Sequence, residues 1–422
     1  MRFGKLIFIL SLILVLTPAL ARENDEQFDD LLFKIAIFGP SDEIFIWWGH
    51  AALIVENTKE NFSYTFDWGI FDYPSDSFIK DFIKGQVRYK FTKGINFIYK
   101  YIKEDRDVTV YTLNLDREAK KIILNYAENR ALPENRYYDY HEFRDNCSTG
   151  VRDIIDLGTG GQFKAAFGDI PGRFTYRQHA LRYTWFRPLS EWFLGFLMGQ
   201  NLDKTITFWE EMFLPEEITR NIIDFSYTDS SGKTRKLVSS TEIIHASKTR
   251  LPVLNKPLTT WPFFLAAGLF IMVLILLINH ARGRHPRLGG IFFNLVQFVF
   301  GLLLGASGCV LVFGLLMDND YFKQNINILF VNPLLLIIAP LSVLSAINKP
   351  VLIKRVDLLR FIWAYIFIVG SVTLLLGILP FFFQRNQSVC ALILPIALAF
   401  SNIPEILRGL KSTLTRSIRT SA

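Results

Sequence analysis

Two short motifs hold the residue types that could do covalent chemistry. One is Asp145-Asn146-Cys147-Ser148-Thr149; the other, upstream of it, is Trp47-Trp48-Gly49-His50. Cys147 is the only cysteine in the first 308 residues. The apolar spacing of Val151, Ile154 and Ile155 predicts a helix that begins near Ser148, with Cys147 at its N-terminus. Unpaired N–H groups there carry partial positive charge and favour a thiolate, the nucleophilic form of cysteine. Either Asp145 or Asn146 would cap that helix, and the Cys147 N–H could form part of an oxyanion hole. His50 would take the thiol proton and serve as general base. Asp67 is the best candidate to orient the imidazole by hairpin geometry, with Asp42, Asp145 and Asp153 as alternatives. His141 ranks second as base. The plain alternatives are a buried structural thiol and a structural histidine at a strand edge.

The elements that must position these groups are readable as patterns. Residues 33–39 form a short strand ending in Gly39-Pro40. Ile44–Trp48 and Ala51–Val55 read as strand on both sides of Gly49-His50, and Phe62–Trp68 returns after a polar turn, making 44–68 a hairpin. Residues 106–115 give another strand. Asp116 caps a helix over 116–130, with Ala119, Ile122, Ile123 and Tyr126 on one face. Gly158–Gly161 ends the Cys147 helix and is no phosphate loop, since no Lys and no preceding strand accompany it. Residues 185–200 are aromatic and aliphatic, which suits either a core helix or a surface that dips into a membrane. Residues 226–258 are polar, and Leu251–Pro257 reads as a stiff linker.

Both ends of the chain point to a membrane route. Arg2 and Lys5, an apolar stretch from Leu6 to Leu16 and Ala19-Leu20-Ala21 make a secretory signal over 1–21, with the mature chain starting at Arg22. Apolar stretches at about 261–279, 291–316, 328–347, 358–382 and 388–404 each approach the length of a bilayer span. The domains expected are therefore 22–258, exported, and 259–422, all-α with five transmembrane helices. Arg282, Arg284 and Arg287 follow the first span, Lys349, Lys354 and Arg355 the third, and Arg408, Lys411, Arg416 and Arg419 the fifth. These basic loops face the cytoplasm by the positive-inside rule, which puts 22–258 outside. The net charge of +7 is thus topological. Residues 259–422 hold 13 Lys/Arg against 4 Asp/Glu, so the exported part is slightly acidic and nothing suggests nucleic acid. Cys309 and Cys390 fall in spans and cannot pair with Cys147. No metal-ligand spacing is present; Asp318-x-Asp320 reads as a solvated loop.

A histidine on a strand followed later by Asn-Cys at a helix start resembles the circularly permuted papain-like proteins, among them the NlpC class and lecithin:retinol acyltransferase. More closely, Trp48-Gly49-His50-Ala51-Ala52-Leu53, Phe66-Asp67-Trp68-Gly69-Ile70-Phe71-Asp72 and Pro133-Glu134-Asn135-Arg136-Tyr137 resemble the periplasmic domain of Lnb-type lipoprotein N-acyltransferases of Bacteroidetes. So do Asp145–Thr149 with Arg152-Asp153, Phe213-Leu214-Pro215, and, in the membrane part, Asn325-Ile326-Asn327-Ile328-Leu329 with Asn332-Pro333. The resemblance implies an α+β fold with a circularly permuted papain-like periplasmic domain, anchored in the bacterial inner membrane by the five-helix domain. It implies a Cys147 thioester that carries a fatty acyl chain from a phospholipid to the N-terminal cysteine amine of a diacylglyceryl lipoprotein. His50 and Asp67 would assist, Asn146 and Asp145 would support them, and no cofactor or metal is needed. The same Cys–His pair would also serve a membrane-anchored cysteine peptidase or cell-wall amidase, and a non-catalytic lipid- or protein-binding factor is the third reading. Asn325 and Asn327 are expected just outside the third span, against the exported part.

Overall fold

The computed structural model describes residues 27–43, 46–70, 84, 88–95, 98–317, 319–347 and 353–401. The secretory signal, Arg22, Asp318, Lys349 and the basic tail with Arg408, Lys411, Arg416 and Arg419 lie outside the described residues. The chain divides into two compact units. One contains residues up to 82, 86–176 and 205–253; the other contains 83–85, 177–204 and everything from 254 onward.

The first unit is built on a seven-stranded sheet. Strands β1 (Leu31–Phe38), β2 (His50–Asn57), β3 (Phe62–Ile70), β4 (Arg88–Ile95), β5 (Val108–Leu113) and β6 (Tyr137–Asp139) are joined by Val238–His245. The spatial order is Val238–His245, β5, β1, β2, β3, β4, β6, with every neighbouring pair antiparallel. β1 and β2 are covered on both faces, which is why they read as apolar runs rather than clean alternation. On one face Phe33, Ile35, Leu53, Val55 and Phe66 pack with Ile123 of the helix Arg117–Ala131 and Val151, Ile154 and Ile155 of the helix Cys147–Gly158. On the other, Ala36, Phe38, Ala52 and Ile54 pack with Val108, Val110 and Tyr101 of the short helix Ile98–Lys103. The Arg117 helix starts as its sequence dictates, with the Asp116 carboxylate accepting from the Ala119 N–H at 3.0 Å.

Two expectations need correction. The run Ile44–Trp48 does not continue as strand. Residues 44–45 lie outside the described residues, and 46–48 form a turn in which the Trp47 indole donates to the Asp42 carbonyl at 3.0 Å. Gly49 has φ +84°, a left-handed conformation that ends any extended run, so β2 starts only at His50. The polar stretch after 226 also holds more structure than a linker. Ser226–Thr228 pairs with Thr234–Lys236, and Val238–His245 forms the sheet edge against β5. That edge strand exposes six consecutive residues, 239–244, so it needs little apolar content and escapes hydrophobic patterning.

The second unit is helical. Among the described residues, four segments are long and apolar enough to cross a bilayer: Trp261–Arg284, Pro286–Leu316, Ile326–Ala346 and Asp357–Leu376. The fifth expected span is a shorter helix of 15 residues, Gln387–Ser401, with Pro395 inside it; 402–404 lie outside the described residues. The third segment is not one helix. It begins as two 3-10 turns, Ile326–Leu329 and Pro333–Ile337, and becomes α-helical only at Ile338–Ala346. Irregular backbone at such a depth must be shielded, and three glycines of the neighbouring helix let it lie close. A Cβ at Gly301 would come within 2.5 Å of Ile338, at Gly305 within 2.6 Å of the Leu336 nitrogen, and at Gly308 within 2.2 Å of the Asn332 carbonyl carbon. Their spacing places them on one helical stripe.

The aromatic segment also finds its place here, since 177–204 belongs to this helical unit. Its helix Pro188–Leu197 sends Trp192 to donate to the Ser388 carbonyl at 3.1 Å and buries Phe196 completely. Helix C-termini leave carbonyls without partners, and here side-chain amides supply them. Asn325 donates to the Phe196 and Leu197 carbonyls at 2.8 and 2.9 Å, and Asn327 to Phe196 at 3.0 Å. Gln384 donates to Met198 and to Asn325 Oδ1, while Asn386 donates to Asn327 Oδ1. The Asn325-x-Asn327 motif is therefore a clamp on the helix end.

One glycine tests the sheet–helix packing. A Cβ on Gly150 would stand 2.5 Å from the indole nitrogen of Trp68, a side chain only 4% exposed and unable to swing away. Gly150→Ala is expected to destabilise the sheet unit by about 1–3 kcal/mol. Thermal unfolding of the full chain, followed by tryptophan fluorescence, measures it; an unchanged midpoint would show that Trp68 is free to move.

Candidate active site

The site assembles where β2 and β3 meet the first turn of the Cys147 helix. Ala52 pairs with Asp67, so His50, two residues before Ala52, stands diagonally across from Asp67 on the same face. His50 Nε2 donates to Asp67 Oδ1 at 2.7 Å. The Asp67 carboxylate is fully buried, and its other oxygen has no hydrogen-bond partner among the described residues. Cys147 comes from the helix that packs on the opposite face. Gly69, at φ +79°, makes room: a side chain there would stand 3.2 Å from the Tyr140 ring and 4.0 Å from Cys147 Cβ. The His50 ring and the Ala51 N–H lie near enough to the thiol to favour its anionic form. Because Asp67 holds Nε2, Nδ1 is the nitrogen left for sulfur.

Asn146 fixes the sulfur by fixing the helix start. Its Oδ1 accepts from the Ser148 and Thr149 N–H groups, both at 2.9 Å, and the Thr149 hydroxyl accepts from the Asn146 N–H at 2.8 Å. This is a complete capping box. The Asn146 amide nitrogen donates to the Glu142 carbonyl at 2.7 Å and to the Phe213 carbonyl at 3.0 Å. The Phe213–Pro215 stretch matters for a second reason. Pro215 lies 3.4 Å from where a Gly49 Cβ would be, so the same segment braces the turn before His50.

The electrostatics favour an ion pair. Burial alone would push the Cys147 thiol up, but the His50 charge, its hydrogen bond and the Ala51 N–H outweigh it and hold the thiol below its ordinary value. For His50, burial pushes down, yet the negative charges of Asp67 and Cys147 hold the imidazole well above its usual range. Both shifts favour the pair of charges, thiolate beside imidazolium, over the neutral pair. Aromatic rings enclose the pair. Tyr101 stacks on Phe38 with ring centres 3.8 Å apart, and both rings lie parallel to His50 at 6.2 and 6.0 Å. Tyr140 stacks on Tyr89 at 4.1 Å, and burial pushes the Tyr89 phenol up to about 12.

The structure thus brings together His50, Asp67, Cys147 and Asn146 and leaves the other candidates outside. Asp145 does not cap the helix. Its backbone pairs with His141 at 3.0 Å in both directions, and burial raises its carboxyl. His141 accepts the Phe143 N–H through Nδ1 at 3.2 Å, which orients it into that turn rather than toward the thiol. Asp42 pairs with Arg250 and Asp153 with Arg152. Tyr101, Tyr140 and Phe213 were not singled out by sequence reasoning as site residues, because aromatics scattered over more than a hundred positions carry no spacing signal; only the Phe213-Leu214-Pro215 motif pointed at one of them.

Residues 28–180 match the family model of the Lnb N-terminal periplasmic domain, which identifies this part of the chain as that domain. The match spans His50, Asp67, Asn146 and Cys147. No curated protein and no solved structure matches the chain.

The pairing predicts a specific pH profile. A thiolate is the form that alkylates, so the iodoacetamide reaction at Cys147 should persist well below the ordinary thiol pKa of about 8.5. In His50→Ala the lowering charge is gone while burial stays, so the profile should move to alkaline pH. The rate at pH 7 should then fall about tenfold or more. Superimposable profiles, read by mass spectrometry of Cys147 in the intact chain, would remove the ion pair.

Proposed function

We propose that this membrane protein, whose sheet unit is an Lnb periplasmic domain, is a thiol-dependent lipoprotein N-acyltransferase. The observation that carries the reading is the Cys147 thiol held between a helix N-terminus and the His50–Asp67 pair. The order of base before nucleophile is that of a circularly permuted papain-like domain. The apolar helices support a substrate that resides in the bilayer, since a protease acting on soluble chains gains nothing from several spans. In this reading the sheet unit lies on the periplasmic side of the bacterial inner membrane.

The chemistry follows from the groups present. The Cys147 thiolate attacks the carbonyl carbon of a phospholipid ester, and the resulting oxyanion lies near the N–H groups of the helix start. As the C–O bond breaks, the His50 imidazolium gives its proton to the departing alkoxide, releasing a lysophospholipid and leaving a thioester. The amine of a diacylglyceryl lipoprotein's N-terminal cysteine then attacks the thioester. Neutral His50 removes a proton from that amine, and the C–S bond breaks to restore thiolate and imidazolium. Asp67 keeps the ring aligned and stabilises its cationic state in both halves. The ester supplies the driving force, so the two half-reactions need no metal or nucleotide.

The decisive experiment is intact mass spectrometry after incubating the purified chain with phospholipid. A fatty-acyl mass increment on Cys147 that hydroxylamine removes is expected, and Cys147→Ala should never acquire it. An unmodified thiol that still alkylates rapidly would overturn acyl transfer from phospholipid and leave the same pair to a peptidase or amidase.

A further inference from the structure

The helix Pro188–Leu197 is inside out for a helix in water. A surface helix in water turns its charges outward and its apolar stripe toward the core. Here the only charged residue is Glu191, and that residue is 4% exposed. Leu189 and Phe193 lie one turn apart on the opposite side, and they are 79% and 42% exposed. Phe186, just before the helix, is exposed as well. A single exposed apolar residue is ordinary. An uncharged apolar face outside, with the one carboxyl buried behind it, calls for an apolar neighbour.

The contacts of this helix within the helical unit fix the level at which that face lies. The Trp192 indole donates to the Ser388 carbonyl at 3.1 Å, and its ring centre is 6.3 Å from that of Phe264, in the first turn of the helix Trp261–Arg284. Three residues past Leu197, Gln200 donates to the Phe381 carbonyl at 2.8 Å. The helix therefore packs at the starts of two apolar helices, Trp261–Arg284 and Gln387–Ser401. Exposed apolar groups ring those starts: Trp261 and Phe263 on the first, and Ile378, Phe381 and Phe382 ahead of the second. Aromatic side chains concentrate where the hydrocarbon of a bilayer meets its headgroups. The Leu189–Phe193 face is continuous in level and in chemistry with this rim, and thus with the lipid-facing surface of the spans.

We propose that Pro188–Leu197 is an interfacial helix whose Leu189–Phe193 face docks on the lipid bilayer at the end of the helical unit where the first span begins. The occupant follows from the chemistry: the face is apolar, carries no charge and sits at the head of the spans, so lipid at the boundary of headgroups and acyl chains fits it. Burial of Glu191 on the protein side keeps charge away from that boundary. The segment 177–204 leaves the sheet unit after Tyr176 and the chain re-enters that unit at Thr205. A lipid-held helix here gives the sheet unit a membrane tether in addition to the linker that leads to Trp261. The inference does not depend on the acyl-transfer reading.

The test uses the full chain in phosphatidylcholine vesicles, with Leu189 or Phe193 replaced by the photo-crosslinking residue p-benzoylphenylalanine. After illumination, intact mass spectrometry reads the mass of one phosphatidylcholine added to the chain. The same replacement at Leu277, exposed in the middle of the first span, gives the yield for a residue in lipid. Replacement at Glu118, exposed on the sheet unit, gives the yield for a residue in water. Positions 189 and 193 are expected to yield lipid adduct at least about tenfold above position 118, as for side chains inserted at the acyl boundary. Both residues are exposed, so each variant should keep the wild-type unfolding midpoint, which checks that it is folded. Yields at 189 and 193 equal to that at 118, while 277 labels, would make the helix water-facing and overturn the proposal. Adducts to a second chain, or to another part of the same chain, in place of lipid would make the face a protein contact and overturn it too.

Discussion

A carboxylate with no exposed surface can stay charged only beside a cation, and Asp67 has His50 as that partner. Removing one member of such a pair strands the other charge and costs several kcal/mol. Much of the sheet unit's local geometry serves this contact. The β2–β3 register sets His50 diagonal to Asp67, left-handed Gly49 starts β2 at the right residue, and left-handed Gly69 clears the path for Cys147. Cys147 stands beside the same imidazole, and each of the two partners favours the charged form of the other.

Rigidity of the sulfur comes from a different source. Asn146 uses both ends of its amide, one to cap the helix and one to grip the Glu142 and Phe213 carbonyls. The Phe213–Pro215 segment thus braces the nucleophile's helix and the turn that delivers the base. One short segment therefore sets the positions of both Cys147 and His50.

The helical unit follows another rule. Its third apolar segment is broken into 3-10 turns, and the breaks are tolerated because glycines at 301, 305 and 308 allow close approach and because Asn325 and Asn332 cap the turns. The segment 177–204 is taken up here by amide side chains. Its carbonyls at Phe196, Leu197 and Met198 are satisfied by Asn325, Asn327 and Gln384. Apolar content sets which segments enter the bilayer, whereas polar side chains decide what docks at their ends.

The sequence by itself determined whatever depends on neighbours along the chain. The Asp116 cap and its helix, the helix start at Cys147, the apolar membrane segments and the β2–β3 hairpin turn are all set by local patterns. So was the pairing of Cys147 with His50 and Asp67 as candidates, because a lone cysteine at a helix start narrows the chemistry. Only the tertiary structure decided between Asp145 and Asn146 as cap, since both precede the helix and the difference is that Phe213, 67 residues on, accepts from the Asn146 amide. It also decided the start of β2, which turns on one left-handed glycine; the strand Val238–His245, which owes its place to backbone pairing with β5; and the placement of 177–204. Long-range hydrogen bonds fix each of these, and such bonds leave no periodicity in the residues that make them.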